Sequence, residues 1–217
     1  MPQPGLVIWG TSGHANVVTD IVRLTGEYAI VGYLDDRGSQ APSFARGLPV
    51  LGGREQLSGL RDRGVAAVLV GFGDCHGRLA AAALIREHGL ETASAIHPAA
   101  IVAADAQLGE GVTIAAGAII GPGCTIGESA LINTAASVDH DSVVEAGAHV
   151  GPGSRLGGGV TIGRAAWIGI GATVIDHVSV GADTVVGAAS LVLRDVPSGV
   201  VAFGAPARVI RQVVRPD

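Results

Sequence analysis

The second half of the chain is ordered by a period of six. From Ile96 onward an aliphatic residue recurs at every sixth place without a gap, through Val102, Leu108, Ile114, Ile120 and so on to Val186 and Val192. This is neither the 3.6-residue period of a helix nor the alternation of a half-buried strand. It predicts a parallel β-helix of hexapeptide repeats, in which each flat face of a coil uses one repeat and three repeats close one triangular coil. The stretch from Ile96 to Val192 is long enough for about five coils. Two further columns accompany the first. The residue after the aliphatic one is Gly at 109, 121, 127, 151, 157, 163, 169, 181 and 187, which suggests tight corners there. Four places after each aliphatic residue the side chain is small, as at Ala118, Cys124, Ala136, Ser142 and Ser154, as the confined interior near a corner requires. A disordered Gly/Ala-rich segment would have no such aliphatic column to bury.

Residues 1 to 92 lack the six-fold column and read as alternating strands and helices. Apolar runs at Leu6–Trp9, Ala29–Leu34, Leu48–Leu51 and Val65–Val70 predict strands. Ala15–Leu24, Arg54–Arg63 and Arg78–His88 predict helices. That order implies an α/β domain with a small parallel sheet over 1–92, followed by the β-helix domain over 93–217. After Val192, the apolar residues of Val200–Arg211 are placed to close the open end of the β-helix.

Composition fits a solenoid with a thin aliphatic core: 48% of the 217 residues are hydrophobic, only 15% are charged, and 34 are Gly. A net charge of −5 argues against a nucleic-acid groove or an anionic membrane as partner. Cys75 and Cys124 are too few for a disulfide framework. Cys124 falls in the small-residue column and reads as a packed thiol. No signal segment and no apolar run of membrane-spanning length is visible, so a soluble cytoplasmic protein is the expectation.

Parallel sheets bind ligands at the carboxyl ends of their strands. Here those ends carry Gly10-Thr11-Ser12-Gly13-His14, Asp35-Asp36 and Gly71-Phe72-Gly73-Asp74. Gly10-x-x-Gly13 between a strand and a helix lets backbone N–H groups approach an anion at a helix N-terminus. It is not the full dinucleotide fingerprint, and no phosphate-loop motif is present. Asp35 and Asp36 could accept hydrogen bonds from a ribose or a base. Equally, they could be an ordinary acidic turn. Arg78 reads either as a phosphate partner or as a surface arginine.

One stretch of the repeat breaks the apolar wall: Ile132-Asn133-Thr134-Ala135-Ala136-Ser137-Val138-Asp139-His140-Asp141. Asn133 and Asp139 replace the glycine that follows the aliphatic residue, and His140 stands between two carboxylates. A histidine beside a carboxylate suits general-base work, because its pKa lies near neutrality and the carboxylate fixes its tautomer. His149 lies half a coil further on, and His177, next to Asp176, is the main rival for His140.

With these residues in place, the chain resembles the family of sugar O- and N-acyltransferases with a left-handed β-helix, which contains sialic acid O-acetyltransferases and nucleotide-amino-sugar N-acetyltransferases. The resemblance rests on Gly10–His14, Tyr33–Asp36, Ile96–Pro98, Ile132–Thr134, Ser137–Asp141, Trp167–Gly171 and Gly204–Arg208. It alone implies the left hand of the coil, which departs from the usual crossover preference. It implies acetyl-CoA as co-substrate, no metal, and a homotrimer with active sites between neighbouring prisms. His140 matches the family's base and Asp141 its acidic partner, where close relatives often carry Glu. His149 matches a second histidine near the thioester. The N–H of Gly158, eighteen residues after His140, is implied to bind the developing oxyanion. The pantetheine arm is implied to bond to backbone near Ile170 and Ala188, and Arg208 to approach the adenine and phosphate end. Gly10, Ser12, Gly13, His14, Asp35, Asp36, Gly71, Phe72 and Gly73 are implied to bind the nucleotide of a UDP- or GDP-linked amino sugar.

The reaction that follows is N-acetylation of a nucleotide-linked amino-deoxy sugar, with His140 as base. Other readings remain open. O-acetylation of a sialic-acid-type sugar would use the same residues. A β-helical metal hydratase would need a close histidine pair that positions 140, 149 and 177 lack. A non-catalytic scaffold fits the solenoid but not the acid-flanked His140. A sugar nucleotidyltransferase would need a longer N-terminal domain with a basic glycine-rich loop.

Overall fold

A computed structural model describes residues 3–214. The chain divides into two compact units, Met1–Pro98 and Ala99–Asp217. Residues 93–98 therefore stay with the first unit, where Ala93 and Ala95 are buried in the core.

In the first unit the apolar runs become strands β1 (Gly5–Trp9), β2 (Ala29–Leu34), β3 (Val65–Val70) and the short β4 (Glu91–Thr92). They form a wholly parallel sheet in the order β2-β1-β3-β4. Helix α1 (Gly13–Thr25) follows β1, and α2 (Cys75–Glu87) follows β3. Both helices start earlier than the sequence pattern suggests. Helix α2 does so because the Asp74 side chain accepts the Gly77 N–H and caps it. The central strand β1 is buried on both faces. Leu6 and Ile8 pack with Ala15, Val18 and Ile21 of α1, whereas Val7 and Trp9 pack with Ala81 and Ile85 of α2. The expected strand at Leu48–Leu51 is only Leu48–Pro49, one arm of a hairpin with Phe44–Ala45. The expected helix at Arg54–Arg63 is one α-turn, Leu57–Leu60, between two 3₁₀ turns.

The second unit is a β-solenoid. Its strands are two residues long, and each pairs in parallel with the strand eighteen residues away, as in Ile120↔Val138↔Leu156. The aliphatic column points inward and is 2% exposed or less from Ile114 to Val192. The small column from Val112 to Ser190 is buried throughout. Val102 and Leu108 are half-buried and Ile96 is exposed, since the column starts before the core is closed. At the other end a hairpin of Val200–Gly204 and Ala207–Gln212 continues one face and buries Val200 and Ala202 in the core.

The corners differ from expectation. None of the nine glycines directly after the aliphatic column has a positive φ. They are needed instead because coils approach closely: a Cβ on Gly163 would lie 2.4 Å from the Ala182 N atom, and one on Gly109 2.5 Å from the Glu128 N atom. The left-handed residue falls three places after the aliphatic one. Half of those places hold glycine, and the others hold residues such as Ala135, Asp141 and His177.

Candidate active site

In the first unit, the carboxyl ends of β1, β2 and β3 bring the predicted segments together. Gly10, at φ 123°, lies against Gly71, whose carbonyl O would be 3.1 Å from a Cβ on Gly10. Ser12 precedes α1 in extended conformation and makes no side-chain cap, so the first-turn N–H groups lack a side-chain acceptor, and Ala15 N–H donates to the Ser12 carbonyl at 3.1 Å. Trp9, Gly10, Thr11, Ser12, Asp35, Asp36, Arg37 and Phe72 line a pocket of about 280 Å³. Phe72 meets Trp9 edge-on at 6.4 Å, which gives the pocket an aromatic wall. Gly73 lies beside it and its carbonyl accepts Arg78 Nη1 at 2.5 Å.

The acidic pair is tied down by arginines. Asp35, only 6% exposed, accepts Arg37 through its backbone N–H at 3.0 Å, its Nε at 2.9 Å and its Nη2 at 2.5 Å, and also accepts the Thr11 hydroxyl. The Arg37 guanidinium holds the Asp35 carboxyl well below the usual carboxylate range, against the opposing effect of burial. Asp36 accepts Arg54 at 2.7 and 2.9 Å and the Trp9 indole N–H at 3.2 Å. Arg46, itself at φ 51°, stacks over Tyr33 and donates to the Ser12 carbonyl at 2.8 Å, which braces the glycine turn. Trp9 and Arg37 line the pocket and Arg46 and Arg54 brace it, roles that the sequence pattern did not mark. The run Asp35-Asp36-Arg37 is a local sign of Arg37 alone.

Arg78 is neither of the two residues expected. It is 2% exposed, and burial pulls its pKa down. His14, one residue into α1, has a pKa pushed down to about 4, first by burial and then by Arg78. Its Nε2 is buried without a hydrogen-bond partner.

In the second unit the polar break becomes a prism edge. His140 Nδ1 lies 2.9 Å from Asp141 Oδ2. A carboxylate only accepts, so the ring proton sits on Nδ1 and Nε2 is left as a base. Asp141 raises the His140 pKa chiefly through this bond, and the charges of Asp139, Asp141 and Asp176 add to it. The Cε1–Nε2 edge of the ring lies over Gly158, where a Cβ would be 2.6 Å from either atom. The eighteen-residue stack thus sets His140 against Gly158, and the absent side chain makes room for the ring. His177 has its ring over Gly159. Among the described residues that ring has no carboxylate partner, which separates it from His140.

His149 belongs to a flat face. It is 4% exposed, tilted against Trp167 with ring centroids 4.3 Å apart, and its Nε2 is 3.1 Å from Asn133 Nδ2. Asn133 Oδ1 accepts the Thr134 N–H, which orients the amide so that its nitrogen donates to His149. Trp167 and Asn133 are the supporting residues here.

Backbone geometry explains the other predicted positions. Gly158, Ile170 and Ala188 all stand two places after an aliphatic residue. Amides one and three places after it enter the coil-to-coil ladder: Gly169 N–H donates to Val186 O and Gly171 N–H to Pro152 O. The amide between them faces outward. Among the described residues, neither Ile170 N–H nor Ala188 N–H has an acceptor. Two such donors on one edge fit the amide-bearing pantetheine arm of a coenzyme A thioester. Arg208 lines a pocket of about 220 Å³ with Arg194, a donor set that fits phosphate. No group of three potential metal-binding side chains occurs among the described residues. None of their helices is long and apolar enough to cross a membrane.

Known proteins are similar to the chain over most of its length. The profile of the PglD N-terminal domain family matches residues 5–83. GDP-perosamine N-acetyltransferase from Caulobacter crescentus is 42% identical to this chain, with a TM-score of 0.91 over 95% of this chain and 96% of its own. Variants of it with a histidine replaced by alanine or asparagine were crystallised with CoA and GDP-perosamine. The acetyltransferase domain of PglB from Neisseria gonorrhoeae, crystallised with acetyl-CoA, is 31% identical, with a TM-score of 0.90 over 96% of this chain and all of its own. WeeI from Acinetobacter baumannii, 23% identical with a TM-score of 0.84, shares the fold. A Saccharomyces cerevisiae protein named "Putative acetyltransferase YJL218W" is 47% identical over 44 residues, which is 20% of this chain and 22% of that protein.

Proposed function

Given that the chain belongs to the family of β-helical sugar acetyltransferases, and so is an acetyl-CoA-dependent acyltransferase of nucleotide-linked sugars, we propose that it N-acetylates a nucleotide-linked amino-deoxy sugar with His140 as general base. The observation that carries this reading is the His140–Asp141 pair at 2.9 Å with the Cε1–Nε2 edge of the ring lying over Gly158. Holding the amine and the thioester side by side removes much of the entropic barrier. His140 Nε2 takes a proton from the amine as its nitrogen attacks the thioester carbonyl carbon. Asp141 stabilises the imidazolium that results. The C–S bond then breaks, and His140 returns the proton to the departing sulfur. The outward Gly158 N–H is placed to donate to the oxygen that gains negative charge. His149, beside Trp167, is the candidate contact for the thioester end.

The base and the thioester-binding amides lie on different edges of the triangular coil. His140 and Gly158 share one eighteen-residue stack, and Ile170 and Ala188 share another. This supports a homotrimer in which one copy supplies the base and its neighbour holds the pantetheine. The arginine-braced pocket with Trp9 and Phe72 suits the nucleotide, with the open turn of α1 toward phosphate. The 42% identical relative crystallised with GDP-perosamine favours a GDP-linked amino sugar over a UDP-linked one.

The test is release of free thiol from acetyl-CoA with a panel of UDP- and GDP-linked amino sugars, paired with thermal unfolding in GDP or UDP. A ligand of the folded state raises its stability. Turnover with an amino sugar nucleotide and a shift with the matching nucleoside diphosphate are expected. Turnover only with free hydroxyl sugars, and no shift from either nucleotide, would contradict the proposal.

A further inference from the structure

On the His140 edge three residues stack eighteen apart: His140, Gly158 and Asp176. The coil-to-coil ladder engages the amides on either side of Gly158. Gly157 N–H donates to Val174 O at 2.9 Å, and Gly159 N–H to His140 O at 2.8 Å. Gly158 N–H faces outward, and it is not free. It donates to Asp176 Oδ1 at 3.1 Å. Two missing side chains make this possible. A Cβ on Gly157 would lie 2.1 Å from Asp176 Oδ1, and one on Gly158 would lie 2.6 Å from His140 Nε2. His140 from the preceding coil and Asp176 from the following one converge on a single residue, Gly158.

We propose that Asp176 is a positioning residue that competes for the oxyanion donor, holding the Gly158 N–H in the free protein and yielding it to the thioester oxygen when the acyl donor binds. This rests on the reading of His140 and Gly158 given above. A carboxylate is a stronger acceptor than a neutral thioester carbonyl, so the exchange weakens ground-state binding of acetyl-CoA. Free CoA has a thiol and no carbonyl, so it binds without displacing Asp176. The penalty therefore falls on the acyl donor and spares the product. Asp176 is exposed, and its removal opens the Gly158 amide to water without opening a cavity.

Calorimetric titration of Asp176→Ala and Asp176→Asn with acetyl-CoA and with CoA tests this. Asp176→Ala is expected to bind acetyl-CoA about fivefold more tightly, with CoA affinity kept within about twofold. Asp176→Asn, which keeps a neutral acceptor, is expected between Asp176→Ala and the unaltered protein. An unchanged or weakened acetyl-CoA affinity in Asp176→Ala would overturn the proposal. Turnover of His140→Ala, measured in parallel, separates the two levels. An inactive His140→Ala with an unmoved acetyl-CoA to CoA ratio in Asp176→Ala removes the role of Asp176 and leaves the base in place. A fully active His140→Ala removes the reading on which both depend.

Discussion

His140 Nδ1 lies 2.9 Å from Asp141 Oδ2, and Asp141 holds that position from a backbone in the left-handed region, at φ 57°. Half of the equivalent corners carry glycine, so the carboxylate is kept where a residue without a side chain would be easier to accommodate. Asp141→Ala and Asp141→Gly should both lower kcat by about tenfold or more, through loss of the fixed tautomer and of imidazolium stabilisation. They should part in stability, with the glycine variant more stable by about 1 kcal/mol because it relieves the backbone. Steady-state kinetics with thermal melts on both variants check the pair. Equal turnover in all three proteins would remove Asp141 from the mechanism.

The pH profile follows from the same contact. The hydrogen bond to Asp141 raises the His140 pKa most, desolvation opposes it, and the charges of Asp139, Asp141 and Asp176 add to the rise. The base must be unprotonated to act. The acidic limb of kcat/KM should therefore fall above the ordinary histidine value of about 6.5. In Asp141→Asn that limb should move to lower pH. A limb that stays in place when Asp141 is neutralised would show that another group is titrating.

Gly158 and Gly163 stand five apart in successive repeats and should fail differently. Gly158→Ala pushes a Cβ into the exposed His140 ring, so activity should drop by about tenfold or more with little change in melting temperature. Gly163→Ala drives a Cβ into the Ala182 backbone, which cannot yield, and should cost about 2 kcal/mol or more of stability. Circular dichroism melts beside thiol-release assays distinguish the two. Loss of folding in Gly158→Ala would contradict the assignment of its missing side chain to the site.

His14 makes the first unit acid-sensitive. Its pKa falls from 6.5 unfolded to about 4 folded, so the unfolded chain binds more protons between those values. Stability is fully present above pH 6.5 and is lost as the pH falls toward 4, by up to about 3 kcal/mol. Replacing His14 with Gln should flatten the pH dependence of denaturant unfolding in that window. An unchanged slope would mean that the imidazole is not neutral in the folded protein.

The solenoid was legible because a buried column repeats along the chain, and stacking every eighteenth residue follows from three repeats per coil. That arithmetic placed His140 against Gly158 before any coordinates. It stopped one coil short of Asp176, although the same spacing leads from Gly158 to it. The corner was misplaced because glycine occupies two columns for two different reasons, close approach of coils in one and a positive φ in the other. In the first unit the strands were legible from their apolar runs. Arg37, Arg46 and Arg54 were not, because their partners Thr11, Ser12 and Asp36 come from distant turns that only the folded sheet brings together.

The central claim is most directly tested by turnover of His140→Ala with acetyl-CoA and a GDP-linked amino sugar, alongside its affinity for acetyl-CoA. The account predicts a loss of at least about a hundredfold in kcat with acetyl-CoA still bound within about twofold of the unaltered affinity. Undiminished turnover in that variant would contradict it.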